Sequence, residues 1–124
     1  MSEYSYPKKS RLLTAAEFTA VFNSNQYKVA NRHFLILALQ QPDKHSRLGT
    51  VVAKKNISKA VQRNRIKRLI RESFRHQQST LTNFDLVVLV RKGADSLRNI
   101  EVSKSLARLW QDLQTKSLAD EGKP

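Results

Sequence analysis

The chain has 124 residues, the size of one ordinary domain, and its hydrophobic content of 40% is that of a folded protein rather than a disordered one. It contains no cysteine, which excludes disulfides, thiolate zinc sites and a cysteine nucleophile. Lys and Arg number 23 against 10 Asp and Glu, and the net charge of +13 favours a polyanionic partner, nucleic acid before an anionic membrane surface.

No apolar stretch approaches the roughly 18 to 20 residues that cross a bilayer. The first residues, MSEYSYPKKSR, lack the apolar run of a secretory signal. We therefore expect a cytoplasmic protein with one domain over residues 1–124, flexible at 1–11 and 117–124.

The first half of the chain predicts one helix and three strands. Thr14-Ala-Ala-Glu17 has the form of a capping box and opens a short helix that ends near Asn23. Residues 28–40 are rich in Val, Leu, Ile and Phe, and predict a short strand followed by a longer one from about His33. Residues 41–46, with Pro42 and Asp43, predict a turn, and residues 48–53 predict a strand that completes a hairpin.

The second half predicts helix, strand and helix. Ser58 can cap a long helix that runs to about Gln77, and residues 85–91 (DLVVLVR) suit a buried strand. A last helix starts near Asn99, and from Ser117 the periodicity is lost, so we expect a frayed tail. Its apolar residues at helical spacing are Val102, Leu106, Leu109, Trp110 and Leu113.

The resulting order, α-β-β-β-α-β-α, predicts an α+β sandwich in a single domain, with helices packed on one small sheet. Residues 48–90 would then form a strand-helix-strand connection within that sheet. The general rule for such connections predicts a right-handed crossover.

Basic residues concentrate between Lys54 and Arg75, where nine of them stand against one acid, Glu72, and carry +8 of the net charge. On a helical wheel for residues 59–76, apolar side chains share one side and polar or basic ones share another. The apolar set is Ile66, Leu69, Ile70 and Phe74, and the polar set is Asn64, Lys67, Arg68, Arg71 and Arg75. A charge run is usually a solvated helix face, but the near absence of acids and the bidentate fork of arginine favour phosphate binding.

Four segments of the sequence carry a resemblance to a known family. KAVQRNRIKRLIRE at residues 59–72, with its Arg63-Asn64-Arg65, resembles the signature of the bacterial ribonuclease P protein family. EFTAVF at 17–22, VANRHF at 29–34 and LGTVVAKK at 48–55 agree with it in the same order, so the resemblance spans roughly residues 8–113. Ala53 departs from the family's common serine, and Ile57-Ser58 from its frequent glycine, without loss of a basic residue.

The resemblance implies a protein subunit, one per RNA, of a catalytic RNA that removes the 5′ leader of precursor tRNA. The chemistry is metal-assisted phosphodiester hydrolysis, with magnesium held mainly by the RNA, so we expect no cofactor, metal ligand or catalytic residue on the protein alone. It also implies a left-handed βαβ crossover, which we adopt over the general rule. The expected RNA-binding residues are Lys54, Lys55, Lys59, Arg63, Asn64, Arg65, Lys67, Arg68, Arg71 and Arg75.

Three aromatic residues are candidates for contact with the leader. Phe18 and Phe22 lie four apart on the first helix and can stack single-stranded bases, although filling the core is the more common role of such a pair. The family's leader-binding cleft lies between the first helix and the sheet. The resemblance therefore implies that both contribute to it, together with Phe34, whereas Trp110 belongs to the core.

Other classes of function remain open on the sequence. An autonomous nuclease is disfavoured because His33, His45 and His76 are scattered, acids are few, and Asp43 and Asp85 suit a turn and a strand entry. A structural RNA-binding protein fits the composition equally well. A helix-turn-helix DNA-binding protein fits less well, because the segment before the basic helix predicts a strand and Lys-Lys rather than a first helix and turn.

Overall fold

The computed structural model describes residues 11–12, 14–42, 45–81 and 83–121. The elements follow the predicted order, with a 3-10 turn at Ala94–Ser96 before the last helix. They are α1 (Ala15–Ser24), β1 (Tyr27–Ala30), β2 (Phe34–Gln40), β3 (Arg47–Val51), α2 (Ala60–Gln77), β4 (Phe84–Val90) and α3 (Asn99–Glu121). No helix in these ranges is both long and apolar enough to span a membrane.

The predicted capping box opens α1. Thr14 Oγ1 accepts a hydrogen bond from the amide of Glu17 at 3.2 Å, and Glu17 Oε1 accepts one from the amide of Thr14 at 2.9 Å. Both bonds satisfy amide groups that a helix start otherwise leaves without a partner. This prediction is confirmed.

The four strands form one mixed sheet in the order β1-β2-β4-β3. Strand β2 is antiparallel to β1 and β4, whereas β3 is parallel to β4. The predicted hairpin of β2 with β3 is therefore wrong, because β4 lies between them. The physical reason is that six of the seven β4 residues are buried, which suits a central strand, whereas β3 is partly exposed and takes an edge.

The connection between β2 and β3 passes the start of β4, where the amide of Gln41 donates to the carbonyl of Asn83 at 2.7 Å. Residues 43–44 of the predicted turn, including Asp43, lie outside the described residues. The β3-α2-β4 connection joins adjacent parallel strands as expected. Its left-handed crossover stays a prediction.

The sheet separates two apolar layers. Helices α2 and α3 cover one face and form the main core, in which Phe34, Ile66, Phe74 and Trp110 are completely buried. Helix α1 covers the other face with a much smaller cluster, which is Leu12, Val21, Leu37 and Val87. The larger layer places α2 rigidly, because its four predicted apolar residues are all buried there.

Two helix ends differ from expectation. The N-cap residue of α2 is Lys59 and not Ser58, and no side chain makes a capping hydrogen bond there. Helix α3 continues past Ser117 to Glu121, beyond the residue at which the sequence loses its helical periodicity. Ser117 is buried, and the hydroxyl of Tyr27 donates to Asp120 Oδ2 at 2.8 Å, which attaches the last turns to β1.

The predicted flexible ends fall largely outside what the structure describes. Residues 1–10 and 122–124 are outside the described ranges. Arg11 forms an isolated parallel bridge with Leu48 beside β3. Flexibility of the ends stays a prediction.

Candidate RNA interface

The basic residues of α2 divide into two groups according to what they contact. Arg65 binds within the protein: its Nε donates to Gln62 Oε1 at 2.8 Å and its NH1 to Asn99 Oδ1 at 2.6 Å. Its NH2 donates to the carbonyls of Asp95 and Leu97 at 3.2 and 3.1 Å. Arg65 therefore joins α2 to the start of α3, and most of its donors are already used.

Arg63 is also tied to the backbone. Its NH1 donates to the carbonyls of Ile57 and Ser58, at 3.0 and 2.8 Å. These bonds fix the loop that enters α2, where Ile57 is completely buried. The two arginines that flank Asn64 thus stabilise the helix and its entry, a role that the sequence pattern did not reveal.

The second group points away from the core. Asn64 and Arg68 are exposed, and neither side chain has a hydrogen bond or ion pair with another described residue. Lys67 and Arg71 lie on the adjacent side and are partly exposed, and Arg71 Nε donates to the carbonyl of Lys67 at 3.2 Å. One depression along α2 is lined by Val61, Asn64, Arg65, Arg68, Arg71, Glu72 and Arg75. We call Asn64, Lys67, Arg68 and Arg71 the α2 surface.

The lysines before α2 extend this surface. Lys54 and Lys55 are exposed in a turn closed by the carbonyl of Ala53, which accepts from the amides of Asn56 and Ile57 at 3.0 Å each. Asn56 Nδ2 donates to the carbonyl of Val90 at 3.0 Å and so anchors the turn to the end of β4. Lys59 is exposed at the helix start, where the first turn has no acidic residue.

A cleft of about 220 Å³ lies beside the α2 surface, between α1, β3 and α2. Phe18 of α1 is partly exposed there, opposite Lys67 and Arg71 of α2. The full lining is Arg11, Leu12, Phe18, Leu48, Gly49, Thr50, Lys67 and Arg71. An aromatic ring close to cations is an arrangement that suits a single-stranded nucleotide, with its base on the ring and its phosphate near the cations.

The three predicted aromatic residues have different positions. Phe22 is 41% exposed on α1, one turn beyond Phe18. Phe34 is completely buried in the main core under α2 and α3, on the opposite face of the sheet from α1. The expectation that Phe34 contributes to the cleft is therefore wrong, because alternation along β2 directs its side chain away from α1. Leu35, Val51 and Leu89, partly buried on the α1 face, extend the apolar surface instead.

An ion triad beside the cleft was not predicted. Arg47 of β3 donates from Nε to Asp85 Oδ1 at 2.9 Å and from NH2 to Asp85 Oδ2 at 2.7 Å. Its NH1 is ion-paired with Glu17 Oε2 of α1. The hydrogen bonds to Asp85 are the largest cause that raises the pKa of Arg47 above its ordinary value, and burial acts against them. The sequence hint was an acid in an otherwise apolar strand, since a buried carboxylate requires a partner.

A family model described as Ribonuclease P matches residues 6–114. The chain belongs to the ribonuclease P protein family. The ribonuclease P protein component of Pseudomonas aeruginosa strain PAO1 is 49% identical over 120 residues, which cover 93% of this chain and 89% of that protein. The corresponding protein of a Marinomonas species is 43% identical over 118 residues, covering 95% and 89%.

Solved structures of ribonuclease P proteins agree with the fold. A Staphylococcus aureus ribonuclease P protein, a mutant described as defective in mRNA degradation, superposes with a TM-score of 0.77 at 32% identity and covers 84% of this chain and 87% of that one. A Thermotoga maritima ribonuclease P protein in complex with 1-(4-fluorophenyl)-2-thiourea gives a TM-score of 0.72 at 31% identity, covering 81% and 96%. The family is involved in tRNA processing, and its name as a protein component implies association with the ribonuclease P RNA.

The histidine and acidic residues decide whether the protein itself could hold a metal ion. Among the described residues, no group of three or more His, Asp or Glu side chains is arranged to hold a metal ion. Asp85 binds Arg47, and His33 lies at the β1–β2 turn, where its carbonyl accepts from the amide of Arg91 at 2.8 Å. These contacts connect structural elements to one another.

Proposed function

We propose that this chain is the protein subunit of the ribonuclease P ribonucleoprotein, which binds the catalytic RNA and the 5′ leader of precursor tRNA. It supports endonucleolytic removal of the leader and so gives the mature 5′ end of the tRNA. The α2 surface, with its cations directed away from the core, is the observation that carries this proposal.

The positive charge around the α2 surface is barely neutralised by acidic residues, and this supports RNA binding. Glu72 is the one acidic residue between Lys54 and Arg75, and the basic side chains on one helix face repel one another in the free protein. Arg68 has no partner among the described residues, and its planar guanidinium can bind two phosphate oxygens at once. RNA phosphates would relieve the repulsion and release counterions, which is the main source of affinity for nucleic acid.

The cleft beside Phe18 supports leader binding. Its aromatic ring and the apolar side chains of the sheet offer stacking that does not depend on base identity, at about 1–3 kcal/mol per base. Lys67 and Arg71 belong to the α2 surface and also line the cleft. A single strand in the cleft would therefore lie next to the RNA bound on α2.

The hydrolysis itself is assigned to the RNA. In this proposal the RNA holds the magnesium ions that activate water and stabilise the leaving oxygen, and one protein binds per RNA in the cytoplasm. The protein's residues bind and orient the substrate and neutralise phosphate charge. Their contribution is therefore greatest at low magnesium, where fewer cations screen the contact between the two RNA molecules.

The test is reconstitution of cleavage. The purified protein is mixed with the ribonuclease P RNA and a 5′-labelled precursor tRNA, at a magnesium concentration where the RNA alone is poor. Protein alone and RNA alone are the two background reactions. An Arg68→Ala variant tests the α2 surface, and an Arg98→Ala variant is the matched control, since Arg98 is an exposed arginine that does not belong to that surface and is paired with Glu101.

Cleavage at the correct 5′ site that requires both components, and that is weakened by Arg68→Ala but not by Arg98→Ala, is the expected result. Cleavage by the protein alone would overturn the assignment of the chemistry to the RNA. Tight, salt-sensitive RNA binding without stimulation of cleavage would instead identify a structural RNA-binding protein.

A further inference from the structure

Helix α1 packs on the sheet through a small apolar cluster. Val21 is its one completely buried described residue, and Ala15, Ala16, Thr19 and Ala20 are exposed. The cluster beneath it is far smaller than the core under α2 and α3. Because hydrophobic stabilisation scales with buried apolar area, α1 needs other contacts to keep one position.

The ion triad supplies a directional contact at the start of α1. Glu17 serves two purposes: Oε1 accepts from the amide of Thr14 in the capping box, and Oε2 is ion-paired with Arg47. Arg47 in turn binds Asp85 with two hydrogen bonds, and Asp85 is 1% exposed in the central strand β4. The triad therefore links the helix start, through an edge strand, to the most buried strand of the sheet.

Gly49, two residues beyond Arg47 on β3, supplies a steric contact with Phe18, the residue that follows Glu17 on α1. A Cβ atom on Gly49 would lie 2.5 Å from both Cε1 and Cζ of Phe18, and 3.2 Å from Cδ1 of Leu12. Real Cβ atoms do not approach other atoms so closely, so any other residue at position 49 must displace the Phe18 ring. The absence of a side chain is what lets the ring lie directly on the backbone of β3.

We propose that Arg47 and Gly49 of β3 act together as positioning residues that set the place of α1, and hence the width of the cleft that receives the leader. Arg47 fixes the start of the helix through Glu17, and Gly49 fixes the depth of Phe18. Arg47 is not among the residues that line the cleft, and Gly49 lines it with backbone alone. This inference rests on the proposed function, because the cleft is assigned to the leader there.

The test separates binding of the leader from binding of the RNA subunit. In the first arm, the reconstituted holoenzyme is titrated with precursor tRNA and with mature tRNA that lacks a leader, and the ratio of the two affinities gives the leader's share. In the second arm, the affinity of the protein for the ribonuclease P RNA is measured without substrate. Hydrogen exchange of the free protein reports on α1 and α2 separately.

Two variants perturb the two contacts independently. Glu17→Gln removes the ion pair with Arg47 but preserves the capping box, since glutamine also serves at that position, and leaves the Arg47–Asp85 pair intact. Gly49→Ala displaces Phe18 and leaves every charge in place. Both avoid the unpaired buried carboxylate that replacing Arg47 would leave on Asp85. Arg98→Ala is the control for the loss of an ion pair elsewhere.

Each variant should reduce the leader's share of the affinity by about tenfold, the size of one lost base stack. The affinity for the RNA subunit should change by less than about twofold, and exchange should accelerate in α1 but not in α2. A leader's share that is unchanged in both variants overturns the positioning role. Equal losses for leader and RNA subunit also overturn it, since they indicate a general loss of stability. A wild-type holoenzyme without any preference for the leader would contradict the proposed function itself.

Discussion

Arg65 and Arg68 lie three residues apart on α2, and both were predicted to bind RNA. The structure surrounds Arg65 with four hydrogen-bond acceptors and leaves Arg68 exposed without a partner among the described residues. The helical wheel places Arg68 but not Arg65 in the polar set, and it does not report where the next helix begins. The tertiary contact with the start of α3 gives Arg65 most of its hydrogen-bond partners.

Replacement of Arg65 should therefore affect stability. Arg65→Ala leaves the carbonyls of Asp95 and Leu97 without their donor, and the free energy of unfolding should fall by about 1–3 kcal/mol. Urea denaturation followed by circular dichroism measures the change. The comparison is Arg68→Ala, which should stay within about 0.5 kcal/mol of wild type. Equal stability of the two variants would contradict the structural role of Arg65.

Replacement of Arg68 should instead affect RNA binding. If Arg68 contacts a phosphate, Arg68→Ala weakens binding to the ribonuclease P RNA and reduces the slope of log affinity against log salt by about one. Filter binding over a series of salt concentrations measures both quantities. An unchanged slope together with unchanged affinity would show that Arg68 contacts no phosphate.

At the scale of the elements, the sequence predicted the order and type of every helix and strand, because their apolar periods are clear. It did not predict the partner of β3. A short link between two strands suggests a hairpin, yet the seven-residue run of β4 is apolar towards both faces and must be covered on both sides. The pairing depends on which strand must be buried on both faces and therefore lies at the centre of the sheet. A local sequence pattern does not compare one strand with another in this respect.

The sequence was equally unable to predict which side chains of β2 face the cleft. Strand β2, with the sequence FLILALQ, is apolar on both faces, so the sequence could not say which face Phe34 would take. The α1 face received Leu35, Leu37 and Leu39, and the main core received Phe34. Phe18 and Phe22 were easier to place, because one helix with a single small apolar side leaves fewer alternatives.

The last turns of α3 offer a prediction at this scale. Tyr27→Phe removes the hydroxyl that donates to Asp120, and it should lower the free energy of unfolding by about 0.5–1.5 kcal/mol. Hydrogen exchange should accelerate after residue 113 and remain unchanged in α2. Thr115→Ala is a useful control, since the hydroxyl of Thr115 bonds within α3 to the carbonyl of Gln111. Uniform exchange along α3 in the Tyr27 variant would contradict the anchoring role.

At the scale of the whole molecule, the charge is concentrated on one region. The exposed or partly exposed cations there include Lys54, Lys55, Lys59, Lys67, Arg68 and Arg71. The acids Glu17 and Asp85 are paired with Arg47 beside α1 and do not offset the α2 surface. The molecule therefore presents a basic side with little internal neutralisation.

This distribution predicts the salt dependence of binding. Six phosphate contacts, one for each of these cations and each contributing about −0.7 to −0.9, give a slope of log affinity against log salt of roughly −4.2 to −5.4. Lys104→Ala, at an exposed position on α3 outside this region, should leave the slope unchanged. A wild-type slope near −1 would mean that most of these cations do not reach phosphates.

The concentration of like charges on α2 also has a consequence for the protein before it meets its RNA. Repulsion along the helix lowers the stability of the free chain, and any polyanion that binds only the folded state raises it by mass action. We therefore expect unassembled copies to unfold more readily than assembled ones and to be the first degraded by proteases. The supply of RNA would then set the amount of protein that persists, without a dedicated regulator.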